Sequence, residues 1–230
     1  QAFLVYSFKL NKFNLTSQVG VQRIGSRIAS QYVQGIGLPA QSNNPVTGTQ
    51  PTIGNQFALS NLFGVVAQQE VNYQDIVVAT AGIRFDRSTL NGNSRAFSAF
   101  PRASLALNLT KLPFWTLSQV SQLKLRVAYG QTAGFPSFGS LYTPLTTVTF
   151  NGQLGTQSPP ALGNAGLKPE TATELEGGLD VGLFDNRVTL EATVYNKQVF
   201  NLLQPFLLAP AVGFSSITQF PVGDLRNQGL

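Results

Sequence analysis

The sequence predicts an all-β fold: an antiparallel transmembrane β-barrel, to which these 230 residues contribute about eight strands. Three observations predict it. Apolar and polar residues alternate with a period of two in run after run, the mark of strands with one apolar and one polar face. The runs are about ten residues or more, longer than the usual mode of about 5–6. Their connections are alternately short and long, as in a barrel with tight turns at one rim and long loops at the other.

The runs follow in order. Ala2, Leu4, Tyr6, Phe8 and Leu10 oppose Ser7 and Lys9 over residues 1–10. Phe13, Leu15, Val19 and Val21 oppose Asn14, Thr16, Gln18 and Gln22 over 13–24. Phe63, Val65, Ala67 and Val71 oppose Gln68, Glu70 and Asn72 over 60–72, and Val77 to Phe85 oppose Thr80, Arg84 and Asp86 over 76–87. Leu105 and Leu107 oppose Arg102, Ser104 and Asn108 over 99–110, and Leu123 to Tyr129 oppose Lys124 and Arg126 over 122–131. Leu175, Leu179, Val181 and Leu183 oppose Glu174, Glu176 and Asp180 over 171–183. Val188 to Val194 oppose Thr189, Glu191 and Thr193 over 188–200. Short or medium turns are expected at 11–12, 73–75, 111–121 and 184–187. Long loops, rich in Pro and Gly, are expected at about 26–58, 87–98, 131–169 and 201–226.

Composition separates this reading from a soluble β-sandwich, whose apolar set would face a dry core. Charged residues are 11% of the chain and apolar residues 43%, with 17 Phe; soluble domains carry about 25% charged residues. The apolar set is therefore assigned to lipid and the polar set to a wet lumen. Trp115, Phe114, Tyr129 and Tyr195 are candidates for an interfacial aromatic girdle. The net charge of +5 is modest and its basic residues are scattered, so no nucleic-acid partner is expected.

The chain has no Cys, His or Met. That excludes the usual zinc sites, haem ligation by His or Cys, iron–sulfur clusters and Ser-His or Cys-His nucleophiles within it. No enzyme activity, metal or cofactor is expected. Glu174, Glu176 and Asp180 share a strand face, and paired carboxylates can cleave glycosides. A lumen wall needs charged residues for solvation alone, and that is the reading adopted. The parity of the strands instead brings together a charge cluster near the short-turn rim: Lys124 or Arg126 pairs with Asp180, and Glu191 lines the same patch.

The stretch "LGNAGLKPETATELEGGLDVGLFDNRVTLEATVYNKQ", Leu162 to Gln198, carries Gly163-Asn164, Leu167-Lys168-Pro169-Glu170, Gly178-Leu179-Asp180, Leu183-Phe184-Asp185-Asn186-Arg187 and Tyr195-Asn196-Lys197 in order. It resembles the late barrel strands of TonB-dependent outer-membrane transporters, most closely the SusC/RagA branch. "SQLKLRVAYGQTAG", "AFPRASLALNLTK", "VNYQDIVVATAGIRFDRS" and "VGDLRNQGL" resemble neighbouring segments of that branch, so the likeness runs from about Asn61 to Leu230. The resemblance implies a barrel of about 22 strands in the bacterial outer membrane, with its lumen plugged. It implies TonB-dependent import of a large nutrient, a glycan oligomer or a peptide. The implied partners are the protein's own plug domain, TonB, a SusD-like lipoprotein lid and outer-membrane lipid. On this reading residues 1–230 are one segment of a single barrel domain, with the plug and TonB box outside them, and cannot close a barrel alone. The alternative is a barrel kept for structure or adhesion, anchoring a surface assembly.

Overall fold

The computed structural model describes the backbone of residues 1–230 and the side chains of all but residues 50, 51 and 210. It contains fourteen strands: β1 (Ala2–Leu10), β2 (Phe13–Ile36), β3 (Gln50–Tyr73), β4 (Val77–Ser88), β5 (Ser98–Asn108), β6 (Val120–Gly134), β7 (Thr146–Phe150), β8 (Gln153–Gln157), β9 (Ala161–Leu162), β10 (Glu170–Leu183), β11 (Val188–Phe200), β12 (Leu203–Leu207), β13 (Ser216–Pro221) and β14 (Leu225–Gly229). One antiparallel sheet of nine strands runs β1-β2-β3-β4-β5-β6-β10-β11-β14. Consecutive long strands pair as expected, including β6 with β10 across the long connection. The sheet is open among the described residues: β1 pairs only with β2, and β14 only with β11.

Register fixes two faces. The row Leu10, Phe13, Tyr73, Val77, Leu107, Leu125, Leu179, Ala192 crosses eight strands without a polar residue. Side chains two residues along a strand share a face, so the neighbouring apolar rows stack on this one. On most strands the apolar band is about nine residues long, as from Leu175 to Leu183 and from Phe13 to Val21, where Ser17 turns its hydroxyl to Gln69 of β3 as the band's one polar pair. At ~3.3 Å per residue and a tilt of ~40°, it rises about 20 Å, close to the apolar belt of an outer-membrane barrel. Phe13 and Tyr73 stack at its short-turn edge with centroids 4.9 Å apart.

Among the described residues no conventional core exists behind this band. Leu4, Leu10, Leu105, Leu125, Leu175 and Leu190 are all exposed. An apolar surface this broad is not stable in water. Its burial has to come from hydrocarbon rather than from another layer of protein. A small buried cluster, Leu141, Leu167 and Leu203, sits instead among the long loops.

The structure revises the long loops. Residues 26–58 were expected as loop, but β2 runs to Ile36 and β3 starts at Gln50, with unbroken pairing from Phe13↔Tyr73 to Ile36↔Gln50. Only residues 37–49 are the connection. The outer half of this hairpin reads weakly because Ser, Gln and Gly dilute its alternation, yet its backbone ladder needs no apolar face. The Tyr32 ring covers Gly54 across the strands, filling the space a side chain would take. The 131–169 loop holds the β7–β8 hairpin, and the two distal loops share a small sheet, β12-β13-β9. The expected strand over 99–110 ends at Asn108, where Leu109–Lys111 turns as a 3₁₀ segment.

Candidate functional site

The polar face of the sheet is organised around arginines that each lie across a glycine. Arg126, on β6, stands opposite Gly178 on β10, which stands opposite Thr193 on β11. The guanidinium passes over Gly178, donating from Nε to Asp180 Oδ1 at 3.1 Å and from Nη2 to Thr193 Oγ1 at 2.8 Å. A Cβ at Gly178 would lie 2.6 Å from Arg126 Cζ. The missing side chain is what lets Arg126 span three strands.

The arrangement recurs on other strands. Arg84 on β4 donates from Nε to both carboxylate oxygens of Asp86, at 2.8 and 2.7 Å, and from Nη2 to Gln22 Oε1 at 3.0 Å. It crosses Gly64, where a Cβ would clash with Asp86 Oδ1 and Arg84 Nη2. Asp86 is 5% exposed, so its charge is removed from water and needs the Arg84 N–H that its two oxygens share. Arg102 on β5 likewise reaches over Gly82 to donate to Gln68 on β3. Two simpler contacts extend the face: Lys197 Nζ lies 3.7 Å from Glu174 Oε2, and Ser7 meets Thr16 at 3.1 Å.

Of the four residues singled out from sequence, the structure brings Arg126 and Asp180 into contact. Lys124 stands directly opposite Asp180 in register and Glu191 opposite it on the other side. The Asp180 ion pair is with Arg126 and not with Lys124. Tyr195 shares a face with Glu191 and Thr193, against Gly229, so it is not on the apolar band. Trp115 donates from Nε1 to Leu117 O at 3.2 Å in the turn below β6.

The arginine-over-glycine pattern escaped sequence reading, because the two residues are distant in the chain and meet only through register. A strand glycine opposite an arginine, as Gly178 and Gly82 are, or diagonal to one, as Gly64 is to Arg84, is the signal, and it requires the pairing to be known.

Two sequence motifs act in the outer loops. Glu170 Oε1 accepts from Leu203 N at 2.7 Å, tying the start of β10 to the final loop. At Gly163 a Cβ would clash with the carbonyl carbon of Tyr142, while Asn164 N donates to Ser140 O at 2.7 Å. Glycine there permits the close approach that the asparagine then fastens.

At the short-turn rim, Gln74 and Asp75 take the paired left-handed conformations of a tight hairpin, with φ of 48° and 55°. The Asn72 side-chain amide and the Lys111 ammonium, in that order, hold the Asp75 carboxyl below its ordinary value of 3.8. Lys111 Nζ lies 3.3 Å from Asp75 Oδ2, clasping this turn to the one after β5.

The family model described as "TonB dependent receptor-like, beta-barrel" matches residues 3–230. TonB-dependent receptor P3 of Formosa agariphila is 32% identical over 185 residues, 76% of this chain and 18% of that protein. TonB-dependent receptor P39 of the same organism is 29% identical over 206 residues, 87% and 19% respectively. Among solved structures, the RagAB peptide transporter matches with a TM-score of 0.82 at 18% identity, over 98% of this chain and 26% of that chain. The "open-open" state of the RagAB peptide importer gives 0.80 over the same shares. The chain thus spans about a fifth of the length of these curated relatives and about a quarter of the RagAB chain. These 230 residues belong to the TonB-dependent receptor-like β-barrel family, whose barrels lie in the bacterial outer membrane.

Proposed function

We propose that residues 1–230 form part of the wall of a SusC/RagA-like importer that moves a large nutrient, a peptide or a glycan oligomer, through a plugged lumen by TonB-dependent transport. The observation that carries this is the division of one sheet into an apolar band, interrupted only by the mutually hydrogen-bonded Ser17 and Gln69, and a polar face ruled by arginines locked across glycines. Such a face suits a permanent, hydrated wall against which a plug or solute slides. Lys124, Arg126, Asp180 and Glu191 form the part of that wall nearest the short-turn, periplasmic rim. The plug domain and TonB-contacting segment belong to parts of the protein outside these residues. Further strands complete the barrel beyond β1 and β14, and a SusD-like lipoprotein covers the long-loop end.

The test is uptake. A strain lacking the full-length receptor is grown on oligopeptides or on glycan oligomers as sole source, with the receptor restored intact or without its TonB-contacting segment. Restoration by the intact receptor alone is the expected result. Normal uptake in the deleted strain, with a surface assembly lost instead, would replace import by the anchoring role.

A further inference from the structure

Beyond the band the apolar face carries Arg226 at the β14 edge, bonded to Asn196, and a group of arginines on β2 and β4. Just above the band, beyond Val21, Val65 and Phe85, the register sets Arg23 on β2 and Arg87 on β4 on either side of Phe63 on β3. They stand two interstrand steps apart, about 10 Å. Four residues further along β2, Arg27 sits over the Phe57 ring at 5.0 Å. Arg87 is held over two rings at once, 5.2 Å from the centroid of Phe63 and 5.3 Å from that of Phe97. Cation–π contact uses none of the guanidinium's N–H donors, and among the described residues these have no side-chain acceptor. Arg23 makes one long contact, from Nη2 to Asn61 Oδ1 at 3.4 Å.

No acid balances these charges. All ten Asp and Glu of the chain lie in turns or loops or have polar-face parity on their strands. None of the ion pairs among the described residues involves Arg23, Arg27 or Arg87. The corresponding height on other strands is uncharged: Gln131 on β6, Thr173 on β10 and Asn196 on β11. Beside the two arginines opens a cleft of about 500 Å³, also lined by Asn61, Thr89 and Ser94. Its hydroxyls and amide are hydrogen-bonding groups suited to a polar headgroup. Two residues above the band is a rise of about 5 Å, the depth at which lipid headgroups begin.

We propose that Arg23 and Arg87 bind the phosphate of an anionic lipid headgroup in the outer leaflet, with Phe63 and Phe97 fixing the Arg87 guanidinium and the cleft taking the rest of the headgroup. The chemistry is a charge-assisted fork onto phosphate at a water–lipid boundary, where each basic residue adds appreciably to anionic-lipid affinity. The proposal rests on the barrel reading, since it needs this face to meet the bilayer.

The test uses the full-length receptor, delipidated and reconstituted in nanodiscs of zwitterionic phospholipid. A bisphosphorylated lipid A and its dephosphorylated counterpart are titrated in, and bound lipid is counted by native mass spectrometry. The wild type is expected to prefer the phosphorylated lipid by about tenfold or more, R23Q/R87Q to lose that preference to within about twofold, and R23K/R87K to keep part of it. Equal binding of the two lipids by the wild type overturns the proposal, as does an unchanged preference in R23Q/R87Q. Competition by inorganic phosphate with no preference between lipids overturns the lipid as the phosphate source. Heat-modifiable migration reports folding of every variant separately. A folded, inserted receptor without the preference refutes only the headgroup site, whereas failure of the wild type to insert refutes the barrel reading itself.

Discussion

Replacing Gly178 with alanine probes the polar face where its geometry is tightest. The new Cβ would sit 2.6 Å from both Cζ and Nε of Arg126. The guanidinium is the mobile end of a long side chain, so it swings aside while the backbone stays in place. Two contacts then go, to Asp180 at 3.1 Å and to Thr193 at 2.8 Å. Hydrogen bonds to charged groups are worth roughly 1.5–3 kcal/mol when dry. The Arg126 and Asp180 side chains are 35% and 18% exposed, and exposed ion pairs give only about 0.2–1 kcal/mol. The coupling between them is therefore about 1 kcal/mol. The net loss in G178A is smaller, since Lys124 faces Asp180 and can take its charge. The assay is a double-mutant cycle, R126A with D180A, read by urea unfolding of the full-length receptor in lipid vesicles and repeated on the G178A background. Coupling near 1 kcal/mol in the parent, falling below about 0.3 in G178A, is expected on this energetic scale. Equal coupling on both backgrounds would refute the claim that the glycine makes the bridge.

Other outcomes follow from the same structure. Leu167→Ala removes the most buried member of the loop cluster; it should cost the loop unit about 2–5 kcal/mol. Hydrogen exchange should then rise in residues 141–167 and 203–221 but not in β3–β5; unchanged protection in the loops argues against a shared cluster. Glu170→Gln weakens a 2.7 Å bond from Leu203 N by about 1 kcal/mol. It should speed proteolytic nicking between 201 and 224, and an unchanged cleavage rate argues that the bond holds nothing. The Asp75 carboxyl is held below 3.8 in the folded protein. A depressed carboxylate stabilises above its unfolded pKa and loses that contribution as pH falls through the folded value. The clasp to Lys111 should thus be intact at pH 5 and release only below 3.8, as followed by NMR titration of the Asp75 carboxyl; titration at or above 3.8 contradicts it.

Much of the fold was legible because lipid enforces period two. The strands around Leu175 and Val188 could be placed almost residue by residue, since slipping either by one position would put Glu174, Asp180 and Glu191 into hydrocarbon. Beyond the bilayer that constraint lifts. Nothing forbids Arg27 or Gln31 on the outer half of β2, so Ile24–Ile36 lost its signal although its backbone ladder continues. Tyr195 misled for the opposite reason: an aromatic just past the apolar band suits a girdle, yet parity sets it beside Glu191 and Thr193. At the polar face, strand parity was enough to bring Arg126 to Asp180. It was not enough to find Gly178, Gly64 and Gly82, whose part depends on which arginine the register lays over them.

The central claim is that one face of this sheet meets lipid and the other meets water. Single cysteines at residues 103–107 of β5 and 125–129 of β6 in the full-length receptor, with any cysteines elsewhere replaced, test it directly, since residues 1–230 contain none. Each is labelled with a polarity-sensitive fluorophore and quenched from the bilayer or from water. Quenching from lipid is expected at Ala103, Leu105, Leu107, Leu125, Val127 and Tyr129, and from water at Ser104, Ala106, Arg126 and Ala128. The same quenching at successive positions, or the reverse alternation, would contradict the account.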